Sequence, residues 1–381
     1  MIGGDTASPT ESAARNDDRV RTFEPPGIKE SEDVKINNFT AALAERSGSV
    51  REARRVLFGI IIALSVIVSP LSVVAAQPLR KVYLGIPSSV VLMGSFFVAK
   101  EQGYYKEEGL DVDFVVITGA GVVQALIGGD LHFAISAGAG LVPILRGIPL
   151  RFIFTSFNRP IFWIYSRPEI QSIEGLKGKR VGISSFGSGP DVLLHNFFKK
   201  YGLDRGRDVT MMAIGSTPSR VAALKTGVIE AAVLPIEGAF AARDAGFREL
   251  ASFIKEEDFV DVLGSIVTNQ KLLETDPNLV ERFIRASLKG FLYYRDNRPG
   301  SIRILAKILK TNTDQAERIY DTVIPATTKD GTVDAALQRK ALEYVLDRLG
   351  MKEPPPLDRI YNYSTTKNVF ADLQAKGWVP Q

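Results

Sequence analysis

The chain has 381 residues, 45% of them hydrophobic and 24% charged, with a formal net charge of +4. That length suits two domains of ordinary size, and the composition excludes a disordered chain. The small charge, with Lys and Arg scattered among Asp and Glu, gives no reason to expect a nucleic-acid partner. There are no cysteines and only two histidines, His132 and His195. A disulfide framework, thiolate metal sites, thiol catalysis and an acylated cysteine are thereby excluded. The inventory favours binding over catalysis, and neither a cofactor nor a metal is expected.

Residues 1–50 are polar, lack a sustained apolar period and read as a disordered extension. Arg51, Arg54 and Arg55 then precede an apolar run at 56–68, Pro70, and Val74-Ala75-Ala76 before Gln77. A basic start, an apolar core, a helix breaker and small residues before the cut make 51–76 an expected signal peptide. Cleavage after Ala76 would deliver the mature chain to the periplasm. The alternative is an uncleaved anchor, because 56–76 approaches the ~20 residues that span a bilayer. A signal behind so long a polar stretch is unusual, and translation from near Val50 would account for it.

From Lys81 onward short apolar runs alternate with amphipathic stretches, the pattern of α/β layers. Strands are expected at 82–86, 112–117, 131–135, 151–155 and 162–165, with helices around 92–102, 121–128 and 140–146. A second unit opens with the turn-rich 173–179. It continues with strands at 180–184, 209–214 and 231–234 and helices from 187 to about 201, at 217–226 and at 236–245. After a strand at 262–268 the chain turns almost wholly helical, at 278–297, 301–309, 313–322, 334–349 and 366–376. So long a helical tail needs a surface to pack on, and the economical surface is the first unit. Lobe 1 is therefore expected to be discontinuous, 78–166 plus 265–381, with lobe 2 at 167–264. The hinge would be two crossings, near 166–168 and near 262–265.

Four patches carry a family likeness. Ala99-Lys100-Glu101-Gln102-Gly103-Tyr104-Tyr105-Lys106-Glu107-Glu108-Gly109-Leu110-Asp111-Val112 leads into the second strand, and Gln124-Ala125-Leu126-Ile127-Gly128-Gly129-Asp130-Leu131-His132-Phe133-Ala134 into the third. Leu176-Lys177-Gly178-Lys179-Arg180-Val181-Gly182-Ile183 and Ala223-Leu224-Lys225-Thr226-Gly227-Val228-Ile229-Glu230-Ala231-Ala232 follow in the second unit. In this order they resemble the solute-binding proteins of the nitrate, sulfonate and taurine type, the NMT1/THI5-like group. The resemblance implies a type II periplasmic binding protein fold, two α/β lobes joined by a two-crossing hinge. It also implies an extracytoplasmic receptor of an ABC importer, acting as a monomer. Such a receptor closes on a small-molecule ligand and delivers it to an ABC transporter permease in the inner membrane. The ligand is left open among sulfonates, carboxylates and heterocycles such as pyrimidines. The alternatives are a THI5-like pyrimidine synthase, whose Cys-rich motif this chain lacks, and a membrane-anchored ligand sensor on the same fold.

In open α/β sheets ligands sit beyond the C-terminal ends of the strands, near free N–H groups at helix starts. Four edges qualify: Pro87-Ser88-Ser89, Ser136-Ala137-Gly138, the run from Ser184 and Ser185 to Gly187-Ser188-Gly189, and Pro235-Ile236-Glu237. The resemblance points to the same cleft. Gly187-Ser188-Gly189 lacks the Lys of a P-loop, and its plainer reading is a helix-capping turn. Asn158 and Arg159 flank the hinge, where Arg159 could pair with a ligand carboxylate or sulfonate. Trp163 reads as core. Glu237 either pairs with an N–H-bearing or cationic ligand or merely complements a helix dipole. His132 reads as a packed or edge histidine and His195 as solvent-facing, with no partners for catalysis.

Overall fold

The computed structural model describes residues 78–86, 91–117, 121–136, 138–256, 259–260 and 262–381. The expected extension at 1–50 and the expected signal at 51–76 lie outside them.

Strand β1 (Arg80–Ile86) leads through a single turn of tight helix to α1 (Gly94–Glu101) and the short α2 (Tyr104–Glu107). Then follow β2 (Leu110–Val116), α3 (Gly121–Gly128), β3 (Phe133–Ser136), α4 (Gly138–Leu145) and β4 (Leu150–Phe157). The next strand, β5 (Phe162–Ser166), is buried throughout. After it come β6 (Arg180–Ile183), α5 (Gly189–Lys200), β7 (Thr210–Ala213), α6 (Thr217–Thr226), β8 (Ala231–Pro235), α7 (Ile236–Asp244) and β9 (Arg248–Ser252). Strand β10 (Leu263–Asn269) opens the tail: α8 (Gln270–Thr275), α9 (Pro277–Asp296), α10 (Arg298–Leu309), α11 (Thr313–Val323), α12 (Ala335–Leu349) and α13 (Ser364–Ala375).

Among the described residues the strands form two five-stranded sheets, ordered β2-β1-β3-β10-β4 and β7-β6-β8-β5-β9. Each is parallel except for one antiparallel strand delivered from the other half of the chain. In the first sheet that strand is β10, set between β3 and β4. In the second it is β5, set between β8 and β9. The chain therefore passes between sheets twice, at 158–161 and at 253–262. The first passage precedes the expected 166–168, so 162–166 belongs with the second unit. Between the apolar runs of β4 and β5 stands Asn158-Arg159-Pro160, and that polar, helix-breaking break is where the chain leaves the first sheet.

The tail returns to the first sheet, and its own capping chemistry sets where its helices start. Asn269, Asp276, Asn297, Asn312 and Asp334 each accept a hydrogen bond from a backbone N–H three residues on. Helix α9 lies against α1, α2 and α13, and α13 reaches β4. At its centre Phe283 stacks on Phe133 with ring centroids 3.9 Å apart and on Tyr105 at 5.6 Å. The Tyr105 hydroxyl meets Ser287 Oγ at 3.2 Å. The aromatic pair of the first sequence patch is thus structural: Tyr105 joins this stack and Tyr104 packs edge-on to Trp378. Each ring buried this way contributes roughly 1.5–3 kcal/mol. Buried apolar side chains from both sheets join one large cluster, and a second gathers Ala134, Phe152 and Val267 of the first sheet.

Candidate functional site

The C-terminal ends of the strands gather an unusual set of buried polar groups. Strand β7 runs through Gly215 and Ser216 into α6, where the Ser216 hydroxyl accepts from Ser219 N. One turn on, Arg220 is only 3% exposed. Its Nη1 donates to the Gly215 carbonyl at 2.6 Å and its Nη2 to Thr217 Oγ1 at 3.3 Å. Its Nε has no partner among the described residues. Burial pulls its pKa down to about 10, against the opposing pull of Glu237, so it remains a cation at neutral pH.

Glu237 sits in the first turn of α7, directly after β8. The two helix starts are pressed together: a Cβ on Gly238 would lie 2.6 Å from Thr217 Cγ2. From the other sheet's side comes Tyr294, on α9, fully buried with its hydroxyl unpartnered among the described residues. Burial, then Tyr320 and Glu237, push its pKa far above the ordinary tyrosine range. The Tyr294 ring is edge-on to Tyr320 at 5.6 Å. It lies so close to the start of α1 that a Cβ on Gly94 would come within 2.7 Å of it. Glycine at that position is what lets the ring in.

Three more buried oxygens find no partner among the described residues: Ser95 Oγ on α1, Asn158 Oδ1 at the first crossing and Ser252 Oγ at the entrance to the second. A buried polar atom left unpaired costs about 1–3 kcal/mol, and native proteins tolerate few of them. Several at one topological position, where each strand hands over to a helix or crossing, mark a place built to meet polar atoms from outside the chain.

The residues singled out from sequence fall in different settings. Ser88, Ser89 and Ala137 lie outside the described residues. Ser136 ends β3, its backbone paired with Ser265. Asn158 donates its backbone N–H to the Ala326 carbonyl. Arg159 is exposed, with Nη1 3.5 Å from the Ile254 carbonyl on the other crossing. Ser185, Gly187, Ser188 and Gly189 make a compact helix-entry turn. There the Ser188 hydroxyl donates to Ser185 O at 2.7 Å, and Gly187 N donates to Asp191 Oδ2 at 2.7 Å. Asp191, wholly buried, also pairs with Arg205. This is the capping turn that the sequence offered as the plainer reading. Trp163 is buried in β5 opposite Ser252. His132 accepts from Tyr83 N through Nδ1, and burial lowers its pKa and keeps it neutral. Glu237 acts electrostatically on Arg220 and Tyr294, two residues that sequence reasoning passed over along with Ser95 and Ser252. Among the described residues no group of three His, Cys, Asp or Glu side chains could hold a metal ion.

On one side the two sheets' helices already touch. Helix α5 packs on α4 and α12. Val192 joins the apolar cluster formed by Leu141, Ile144 and Leu342. Asp347 receives Lys199 Nζ at 3.0 Å, with His195 Nε2 at 3.9 Å.

A profile described as NMT1/THI5 like matches residues 93–299, more than half of the chain. No curated protein matches the sequence. Solved structures with the same fold include a protein from Bordetella bronchiseptica, at TM-score 0.69 and 16% identity, covering 77% of this chain and 98% of that one. The alkanesulfonate-binding protein SsuA from Xanthomonas axonopodis pv. citri, bound to MOPS, matches at TM-score 0.61 and 18% identity, covering 74% and 99%. The periplasmic nitrate-binding protein NrtA from Synechocystis matches at TM-score 0.62 and 12% identity, covering 78% and 90%. At these identities the likeness establishes the periplasmic binding protein fold.

Proposed function

The chain belongs to the NMT1/THI5-like family, and from that premise we propose that it is the solute-binding receptor of an ABC importer. It works outside the inner membrane, takes a small organic ligand between its two sheets and presents the closed form to a permease. The observation that carries this reading is the set of buried polar groups contributed from both sides of the junction: Tyr294 and Ser95 from the first sheet's helices, Arg220 and Glu237 from the second's. Asn158 and Ser252 stand where the chain crosses. A ligand bonded to both sides stabilises the closed arrangement by its differential affinity for it, while the crossings absorb the rotation. Binding is favoured over catalysis because the chain holds no cysteine and only two histidines. Among the described residues no helix is long and apolar enough to cross a membrane. A thermal-shift screen of sulfonates, carboxylates and heterocycles tests the reading. At least one compound should raise the midpoint by several degrees and bind at micromolar or lower concentration. A screen in which none does so would count against a receptor.

A further inference from the structure

Building on the receptor reading, we propose that Phe186 forms an aromatic wall of the ligand site, and that the ligand presents a flat, unsaturated ring to it. The receptor's ligand is then an aromatic or heteroaromatic compound, and ring-free solutes such as nitrate and methanesulfonate are poor ligands.

Topology places the residue. In the second sheet, ordered β7-β6-β8-β5-β9, the chain leaves β6 toward β7 and leaves β8 toward β9. Strands β6 and β8 are parallel neighbours, and their connections depart in opposite directions. The carboxyl ends of two such strands bound the crevice in which open α/β sheets take ligands. Glu237 follows β8, and Phe186 is the third residue beyond β6. Hydrogen bonds tie the Phe186 turn to the buried polar groups. Gly215 N donates to the Ser184 carbonyl at 3.0 Å, and Arg220 Nη1 donates to the Gly215 carbonyl at 2.6 Å.

Phe186 is 56% exposed. A lone apolar side chain on a surface is ordinary, but this one is held in place. Gly187, just beyond it, takes the left-handed backbone (φ 79°) and donates its N–H to Asp191, while the Ser188 hydroxyl closes the turn on the Ser185 carbonyl. The wholly buried Asp191 also pairs with Arg205, whose guanidinium lies over the Phe186 ring with Cζ 5.9 Å from its centroid. One side of the ring is thus backed by a fixed cation, and the rest meets water. Covering such apolar surface is favourable. The contact between the two sheets' layers does not cover it: Val192, farther along in α5, is buried there while Phe186 stays open. What covers it is a ligand in the crevice. Aromatic faces pair well with other rings, offset or edge-on, so a ring-bearing ligand gains at Phe186 what a small ion cannot.

The test uses the full chain as wild type, Phe186→Ala and Phe186→Tyr, with folding checked by circular dichroism. Thermal shift followed by calorimetry is run on pairs of probes that share a polar head and differ in the ring. The pairs are benzoate and acetate, benzenesulfonate and methanesulfonate, nicotinamide and acetamide, and uracil and urea, with nitrate as a bare ion. At least one ring-bearing probe is expected to bind wild type, at least about tenfold more tightly than its ring-free partner does. Phe186→Ala should weaken that binding about tenfold, and Phe186→Tyr, which keeps the ring, should bind as wild type does. A ring-free probe that binds as tightly as its partner, or a ring-bearing one that ignores Phe186→Ala, overturns the aromatic wall while leaving the receptor standing. Absence of binding across all the probes overturns the receptor reading, and the wall with it. If Phe186→Ala does not fold, Phe186→Leu, which keeps bulk without the ring, takes its place.

Discussion

Tyr294 shows how stability and binding can pull in opposite directions at one atom. Its hydroxyl is buried without a partner among the described residues, so removing it spares a desolvation cost and leaves the ring's packing against Gly94 and Tyr320 intact. Tyr294→Phe is expected to stabilise the ligand-free protein by about 1 kcal/mol while weakening ligand binding, as read by chemical denaturation and calorimetry on the same sample. A variant less stable than wild type would mean the hydroxyl has a partner within the protein. Glu230 gives a prediction of opposite character. Arg180 donates to it through Nε at 3.0 Å and through its backbone N–H at 2.9 Å, and this pairing holds its carboxyl below the ordinary 4.5. A carboxyl depressed in the folded state contributes stability that is complete above 4.5 and fades as pH falls through the folded value. The contribution is modest because Arg180 is 43% exposed. Denaturation midpoints taken from neutral pH down through that window should fall less steeply in Glu230→Gln than in wild type. The buried polar residues near the strand ends could not be read as a set from sequence. Ser95, Asn158, Arg220, Ser252 and Tyr294 are spread over 200 positions, and an arginine one turn into a helix looks like any solvated arginine until burial is known. Glu237 was legible because it follows a strand by two residues, where a ligand-facing helix start is expected.

Among the elements, the most legible were those with local punctuation. Helices α9 to α12 begin at Asn or Asp caps, and the expected bounds of these and of α13 fall within three residues of those observed, whereas the short α8 was not expected. Strand β9 escaped because Arg248-Glu249-Leu250 has no apolar alternation; it is an edge strand, paired only through β5. The first crossing was misplaced for the converse reason: β5 is as apolar as β4, and only its pairing with β8 and β9 shows that it has already left the first sheet. Two helices cross at close range where α1 meets α9: a Cβ on Gly290 would sit 2.5 Å from Ala99 Cβ and 2.6 Å from the Ser95 carbonyl. Helix backbones at that separation leave no room for a methyl group. Gly290→Ala is expected to cost about 1–3 kcal/mol in denaturant titrations, despite alanine's better helix propensity. A neutral or stabilising effect would show that the two helices can separate without loss.

For the molecule as a whole, the claim is that two sheets exchange one strand each and hold a ligand between them. The contact of α5 with α4 and α12 is the part of that arrangement which opening must break. Val192 is its apolar centre and Asp347 its charged edge. Val192→Glu would bury a carboxylate in that cluster and should favour the open form, lowering ligand affinity by about tenfold or more without touching the buried polar set. Equal affinity in the variant would remove this contact from the closing surface. The most direct measurement follows from the absence of cysteine in the chain. Ile127 in the first sheet's layer and Val228 in the second's are both exposed, so Ile127→Cys with Val228→Cys accepts a fluorophore pair at those two sites alone. Energy transfer between them should change in a saturable way as a bound ligand is titrated, with the same midpoint as calorimetry, and the change should vanish in Arg220→Ala. Transfer that stays constant while a ligand saturates the protein would contradict closure of two lobes around it.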